Sequence, residues 1–97
     1  SCGAVKGACD DAKLGNLTFM LEKIKPAVDS TTLPTDINVR NSSNISFVND
    51  VAVKNVELNI QNILNSSEVI SEMVSNGEVK IIGAMYDVSS GAVSFFE

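Results

Sequence analysis

An apolar run near the C-terminal end, Val79–Tyr86, constrains the fold more than any other feature of the sequence. A mostly apolar run of this length, placed directly after the turn signal Asn76-Gly77, is typical of a buried strand. Ser89–Gly91 predicts a turn, and Ala92–Phe96 then predicts a second strand antiparallel to the first. One buried strand and one edge strand do not make a sheet. We therefore expect the remaining strands to lie outside this chain or in another subunit.

The first part of the chain predicts helices and one loop. Residues 3–12 predict a short helix rich in Ala and Gly. Asn16 is expected to cap a second helix that frays near Pro26, because the residue before a proline is biased away from helical angles. Residues 29–45 are rich in Ser, Thr, Asn and Pro and predict a loop. The apolar residues at helical spacing in the second helix are Leu17, Met20, Leu21, Ile24 and Val28.

A long amphipathic helix is predicted from about Ser46 to Leu64. Val53 and Leu58 fall off its main apolar stripe, so either the helix has two buried faces or these two side chains are exposed. Ser66–Glu68 predicts the cap of a last helix, and Asn76-Gly77 predicts its left-handed end. The predicted stripe of the long helix contains Val48, Val51, Ala52, Val56, Ile60, Ile63 and Leu64.

Length and charge restrict the classes of partner. Ninety-seven residues make at most one small domain, and the net charge is −5. An acidic chain without clustered Lys and Arg argues against nucleic acid and against an anionic membrane surface as partners. No apolar run approaches the roughly 18 residues that a membrane-spanning helix needs.

The chain contains no histidine and two cysteines. The absence of histidine excludes, for this chain alone, a Ser-His-Asp triad, a Cys-His pair and a histidine-rich metal site. Cys2 lies directly ahead of Gly3 at the expected start of the first helix, where free N–H groups stabilise a thiolate. Such a thiolate is a nucleophile or a soft metal ligand. Cys9 is interpreted as a small residue of the core.

Three segments, in this order, resemble the β-class carbonic anhydrases. Ser1–Ala8 (SCGAVKGA) is similar to the family segment His-x-x-Cys-Gly, which carries the second zinc cysteine at the start of a helix. Asn55–Leu64 resembles the family's penultimate long helix. Val79–Asp87, followed by Gly91, resembles its C-terminal strand and hairpin. The similarity extends over nearly the whole chain except the loop of residues 29–45.

The resemblance implies that residues 1–97 are the C-terminal portion of a single β-carbonic-anhydrase domain. The implied fold is α/β, with helices packed on a mainly parallel sheet that residues outside this chain complete. Cys2 is the only zinc ligand that carries over. The family's histidine would fall two positions before Ser1, and its Cys-x-Asp-x-Arg motif, whose Asp and Arg form a catalytic dyad, is also expected upstream. No catalytic residue is therefore assigned to this chain.

The implied activity is the reversible hydration of carbon dioxide to bicarbonate and a proton. Zinc lowers the pKa of bound water from about 15.7 to about 7 and so supplies hydroxide at neutral pH. The implied partners are the N-terminal half of the enzyme and further copies of it, in a homo-dimer or tetramer. Cysteine ligands suit the reducing cytoplasm, with the periplasm as the alternative.

Two other functions are open at this point. A non-catalytic relative could have lost the upstream ligands and serve as a binding or assembly module. A thiol redox protein using Cys2 and Cys9 is the third hypothesis, although their spacing does not match the Cys-x-x-Cys motif. The residues that precede Cys2 in the complete protein would discriminate the first two.

Overall fold

The computed structural model of the protein describes residues 2–96. Its internal contacts divide the chain into an N-terminal unit, Ser1–Asn55, and a C-terminal unit, Val56–Glu97. Within the described residues, no helix is both long enough and apolar enough to cross a membrane. The elements in chain order are α1 (Gly3–Cys9), α2 (Gly15–Glu22), α3 (Lys25–Ser30), a 3-10 helix (Ile37–Val39), α4 (Ile45–Ser66), α5 (Glu68–Ser75), β1 (Ala84–Tyr86) and β2 (Val93–Phe95).

Helix α1 ends earlier than the predicted span of residues 3–12 because a left-handed residue stops it. Asp11 has a φ of 54°. The Asp11 N–H donates to the Ala8 carbonyl at 3.1 Å, and the Ala12 N–H donates to the Gly7 carbonyl at 3.0 Å. These two bonds form the Schellman arrangement that closes a helix C-terminus. Aspartate adopts the left-handed region more readily than most residues, so the helix stops without a glycine.

The predicted second helix is two helices, α2 and α3. Pro26 lies in the first turn of α3, which begins at Lys25. The missing N–H of proline costs no hydrogen bond there, and its fixed φ suits the helix. The predicted helix does end before Pro26, at Glu22, but Lys25 is helical and begins a new helix, which the sequence did not predict. The expected cap at Asn16 was wrong, because Leu14 occupies the N-cap position of α2 and donates its N–H to Thr18 Oγ1 at 2.9 Å.

The predicted loop of residues 29–45 is irregular only in part. Helix α3 continues to Ser30, and the 3-10 helix Ile37–Val39 lies in the middle of the segment. At its end, Asn44 Oδ1 accepts a hydrogen bond from the Phe47 N–H at 3.2 Å, which supplies a partner for a free donor in the first turn of α4. Composition predicted the irregular stretches but not this short helix.

Arg40 organises the same segment through contacts with backbone oxygens. Its Nη1 donates to the carbonyls of Thr31 at 2.8 Å and Pro34 at 2.9 Å, and its Nη2 donates to that of Val28 at 3.0 Å. The guanidinium carbon lies 4.6 Å from the centroid of the Phe47 ring. Arg40 therefore joins the C-terminal end of α3, the chain that follows it and the start of α4.

Apolar residues from α1 to the first turns of α4 form the core of the N-terminal unit, in which α1 packs against α2 and α3. Phe47 and Val51, four positions apart, lie on one face of α4 and are at most 1% exposed. Leu17 and Met20, predicted to point inward, are 37% and 48% exposed. The buried apolar residues are Val5, Ala8, Cys9, Leu21, Ala27, Phe47, Val48 and Val51.

The C-terminal half of α4 is less buried than its sequence pattern predicts. Val56 and Ile60 are half-buried, and Ile63 is 42% exposed. Val53 and Leu58 are both half-buried. They are therefore neither part of a second fully buried face nor fully exposed, the two alternatives that the sequence left open. The predicted length of the helix was correct to within two residues at each end.

The caps predicted for α5 are confirmed. Ser67 is the N-cap, and its Oγ accepts a hydrogen bond from the Ile70 N–H at 3.2 Å. Gly77 has a φ of 77°, and the Glu78 N–H donates to the Met73 carbonyl at 2.9 Å. The helix therefore ends in a second Schellman arrangement, this time with the expected glycine.

The two predicted strands pair antiparallel, as expected, but the first is shorter than predicted. Ala84 pairs with Phe95 and Tyr86 pairs with Val93. In the described residues, the only sheet is this two-stranded one, and residues 79–83 are not part of a strand. Residues 79–83 form no strand because strand N–H and C=O groups need a partner strand to bond with. Within residues 2–96, no strand lies beside them.

Gly83 is the tightly packed point of the C-terminal unit. A Cβ atom there would lie 2.6 Å from Val56 Cγ1, 3.0 Å from Phe96 Cδ2 and 3.2 Å from Ile60 Cδ1. The Gly83 carbonyl also accepts a hydrogen bond from the Phe96 N–H at 2.8 Å. Glycine is needed because the backbone approaches α4 and the end of the hairpin more closely than a side chain would allow.

Candidate metal-ligand site

Cys2 occupies the N-cap position of α1. Its backbone is extended, with φ −87° and ψ 130°, and its carbonyl accepts the first helical hydrogen bond from Lys6 at 3.1 Å. The backbone N–H groups of Val5 and then Ala4 hold the pKa of the Cys2 thiol below its ordinary value, which outweighs a small opposing effect of burial. Neither N–H makes a full capping hydrogen bond with the sulfur. The sequence-based expectation of a stabilised thiolate agrees with this geometry.

The surroundings of Cys2 are open. The residue is exposed, and a Cβ atom at the adjacent Gly3 would have no heavy atom within 4 Å. An exposed thiol with a lowered pKa is able to bind a soft metal ion or react with an electrophile. The start of α1 is therefore the place in the described chain where thiolate chemistry is accessible.

Cys9 has the opposite properties. It is 7% exposed, and burial is the largest cause of a raised pKa for its thiol. Both cysteines are free thiols. The interpretation of Cys9 as a core residue is confirmed, and the thiol redox hypothesis gains no disulfide or paired reactive thiol from the structure.

The described residues bring no further metal ligands to Cys2. Across residues 2–96, no three His, Cys, Asp or Glu side chains are placed so that they could hold a metal ion. Structural and catalytic zinc sites use three or four protein ligands. Cys2 has the donor chemistry for one position of such a site, and a complete site needs ligands from elsewhere.

The position of α1 depends on packing and on a polar contact that sequence reasoning missed. Gly7 allows close approach to α2, since a Cβ there would lie 3.1 Å from Leu21 Cδ1. Asp10, directly after α1, accepts a hydrogen bond from the Ser42 N–H on Oδ1 at 2.8 Å. Ser42 is also the main cause of the lowered pKa of the Asp10 carboxyl. No local motif signals a contact between residues 32 positions apart.

A concave surface lies in the C-terminal unit. It is a groove of about 590 Å³ between the second half of α4, residues 80–83 and the end of the hairpin. Its lining is mainly apolar, with one lysine and one glutamate. The residues are Glu57, Ile60, Lys80, Ile81, Ile82, Gly83, Phe95 and Phe96.

Comparison with known proteins decides the family. The family model described as carbonic anhydrase matches residues 1–93. The chain belongs to the carbonic anhydrase family. The match includes Cys2, all the helices and β1, and it ends at the first residue of β2, so the resemblance inferred from the three sequence segments is confirmed. No curated protein and no solved structure matches the chain.

Proposed function

We propose that this chain is the C-terminal part of a β-class carbonic anhydrase and that Cys2 is one of its zinc ligands. The observation that carries the proposal is the position of Cys2. It is an exposed thiol with a lowered pKa at the start of a helix, in a segment that the carbonic anhydrase model matches. The motif Cys-Gly followed by a helix is the part of the family resemblance that bears directly on metal binding.

Zinc, when bound, lowers the pKa of a coordinated water molecule and so supplies a nucleophile for the hydration of carbon dioxide at neutral pH. The contribution of this chain is to hold one ligand in its deprotonated form. The N–H groups of Ala4 and Val5 face the Cys2 sulfur and favour the thiolate, which is the form that binds metal. The open space beside Gly3 leaves room for the remaining ligands and for the substrate.

The remaining ligands are proposed to come from the preceding part of the protein. These are a cysteine, a histidine and the Asp/Arg dyad that the family resemblance implies. Residues 79–83, which have an apolar sequence and no neighbouring strand within residues 2–96, are proposed to join a mainly parallel sheet in the complete domain. We also propose that the complete enzyme forms a homo-dimer or tetramer and that it works in the cytoplasm.

The test compares two substitutions in the complete protein, Cys2→Ser and Cys9→Ser. Cys2→Ser removes the thiolate, so the zinc content should fall to a small fraction of that of the unaltered protein. The rate of carbon dioxide hydration should fall roughly 100-fold or more. Substitution of residues that only contact metal ligands typically costs about 10–100-fold. Cys9→Ser alters the core and should lower stability while zinc content and activity persist. The measurements are elemental analysis and stopped-flow hydration.

Two outcomes would contradict the proposal. If Cys2→Ser kept zinc and activity while Cys9→Ser lost them, the ligand would be misassigned. If the unaltered complete protein bound no zinc and hydrated no carbon dioxide, the chain would belong to a non-catalytic member of the family that serves binding or assembly.

A further inference from the structure

The helix that carries Cys2 is short. Helix α1 has seven residues and is therefore only about 10 Å long. Val5, Ala8 and Cys9 bury one side of it. The close approach of Gly7 to Leu21 holds the middle of the helix, and the contact between Asp10 and Ser42 holds its C-terminal end. A displacement at the Asp10 end would carry over to Cys2 almost unchanged, because a two-turn helix is stiff.

Asp10 is an unfavourable residue for the stability of α1 itself. A carboxylate at a helix C-terminus opposes the helix dipole, and a residue of positive or neutral charge would suit the position better. The Ser42 N–H donates to Asp10 Oδ1 at 2.8 Å, and Ser42 lowers the pKa of the Asp10 carboxyl. The carboxylate thus has a partner outside its own helix.

Ser42 connects this bond to a well-fixed part of the N-terminal unit. It lies two residues after Arg40, whose guanidinium bonds three backbone carbonyls, and three residues before α4 begins. The next two turns of α4 hold Phe47 and Val51, which are at most 1% exposed. The Asp10–Ser42 bond therefore ties the end of α1 to the start of the longest helix.

We propose that Asp10 is a positioning residue for the metal site: by tying α1 to Ser42, it fixes the place of the Cys2 sulfur at the other end of the helix. This inference rests on the proposed function of Cys2 as a zinc ligand. Metal ligands tolerate errors of only about 0.2 Å in distance, and functional groups must be held to within about 0.5 Å. Loss of the contact at the far end of a helix about 10 Å long therefore needs to move the Cys2 sulfur by only about 0.5 Å to disturb the site.

The test uses the complete enzyme with three substitutions. Asp10→Ala removes the acceptor, Asp10→Asn keeps an oxygen in its place, and Asp11→Asn removes a charge from the neighbouring position without touching Ser42. Asp11 is a suitable control because its carboxylate pairs on the surface with Lys13 and Lys25, and asparagine also tolerates its left-handed backbone.

Three measurements separate positioning from general destabilisation. They are kcat and KM for hydration at equal zinc content, the rate of zinc release to a chelator, and the thiolate-to-metal charge-transfer band of the cobalt-substituted enzyme. Asp10→Ala should lower kcat twofold to fivefold with KM nearly unchanged, accelerate zinc release by a similar factor and shift the cobalt band. Asp10→Asn should recover most of each effect, and Asp11→Asn should produce none.

The inference would be overturned if Asp10→Ala left zinc release and the cobalt spectrum unchanged. It would also be overturned if Asp11→Asn reproduced the effects, because loss of charge alone would then explain them. Failure of the proposed function has a different signature. The unaltered enzyme would bind no zinc, and this is measured before any Asp10 variant is compared. That result would refute the positioning role of Asp10 as well.

Discussion

The two units of the chain differ in how they use apolar residues. In the described part of the chain, every buried apolar side chain lies before Ala52, in the N-terminal unit. In the C-terminal unit, Val69, Tyr86, Val88 and Phe95 are each more than 60% exposed, and Gly83 is the one buried residue described there. Both units are rich in apolar sequence, so the difference lies in the partners available to each. We expect the apolar surface of the C-terminal unit to be covered in the complete protein.

The largest effect should come from the core of the N-terminal unit. Phe47→Ala removes a ring that is 1% exposed and that Arg40 contacts at 4.6 Å. The expected loss in the free energy of unfolding is about 3–5 kcal/mol, measured by urea denaturation of the complete protein. Phe19, which is 67% exposed in the same unit, is the matched control. Phe19→Ala should cost less than about 1 kcal/mol, and equal losses would contradict the assignment of the core.

The second effect concerns Gly83, a tightly packed position of the C-terminal unit. Gly83→Ala would place a methyl group 2.6 Å from Val56 Cγ1, so α4 or the hairpin must shift. Overpacking of this kind costs about 1–3 kcal/mol.

Gly7→Ala is the control for this substitution in the N-terminal unit. Its methyl group would meet the flexible end of the Leu21 side chain at 3.1 Å, and alanine gains up to about 1 kcal/mol over glycine inside a helix. A change in stability close to zero is therefore expected from thermal or urea unfolding. A Gly83→Ala protein as stable as Gly7→Ala would show that the C-terminal unit adjusts freely.

A smaller effect should come from the cap of α5. Ser67→Ala removes the Oγ that accepts the Ile70 N–H and should cost about 1 kcal/mol. Ser66→Ala, one position earlier at the end of α4, should change the free energy of unfolding by less than about 0.5 kcal/mol. If hydrogen exchange showed no faster opening of α5 in the Ser67 variant, other contacts would hold the C-terminal unit.

The smallest expected effect is a difference between the rates at which the two thiols are chemically labelled in the metal-free protein. A lowered pKa keeps a larger thiolate fraction at a given pH, so Cys2 should continue to react with iodoacetamide as the pH falls from 9 to 7. Cys9 is buried and its pKa is raised, so it should react only when the protein unfolds. Mass spectrometry of the labelled peptides would follow both rates. Equal rates would contradict the assignment of Cys2 as the exposed thiolate.

Local signals in the sequence predicted local structure well. The caps of α5, the extent of α4, the antiparallel hairpin and the core position of Cys9 all follow from side-chain chemistry within a few residues. Cys2 was found because the residue that follows it begins a helix. Whether Cys2 binds zinc stays a prediction, since the metal needs ligands that the described residues do not contain.

Features that depend on distant residues were missed. Pro26 starts a helix rather than ending one, which sequence alone leaves ambiguous because proline is compatible with both. The bonds of Arg40 and of Asp10 join segments that no periodicity connects. The strand predicted from residue 79 begins only at Ala84, because pairing requires a neighbour and not only an apolar sequence. Long-range pairing was therefore the information that the sequence lacked.

The bare hairpin has a consequence for how the chain is produced in a cell. Among the described residues, β1 and β2 have no further strand beside them, and β2 carries neither a charge nor a proline. Charge and proline are two of the devices that natural edge strands use to block aggregation, and the short length of β2 is a third. Val93 and Phe95 lie on one face of β2. In a newly synthesised chain, the unpaired edge of β2 could therefore form strand hydrogen bonds with another copy of the chain and start aggregation. Rapid burial of this edge would then set the yield of soluble protein.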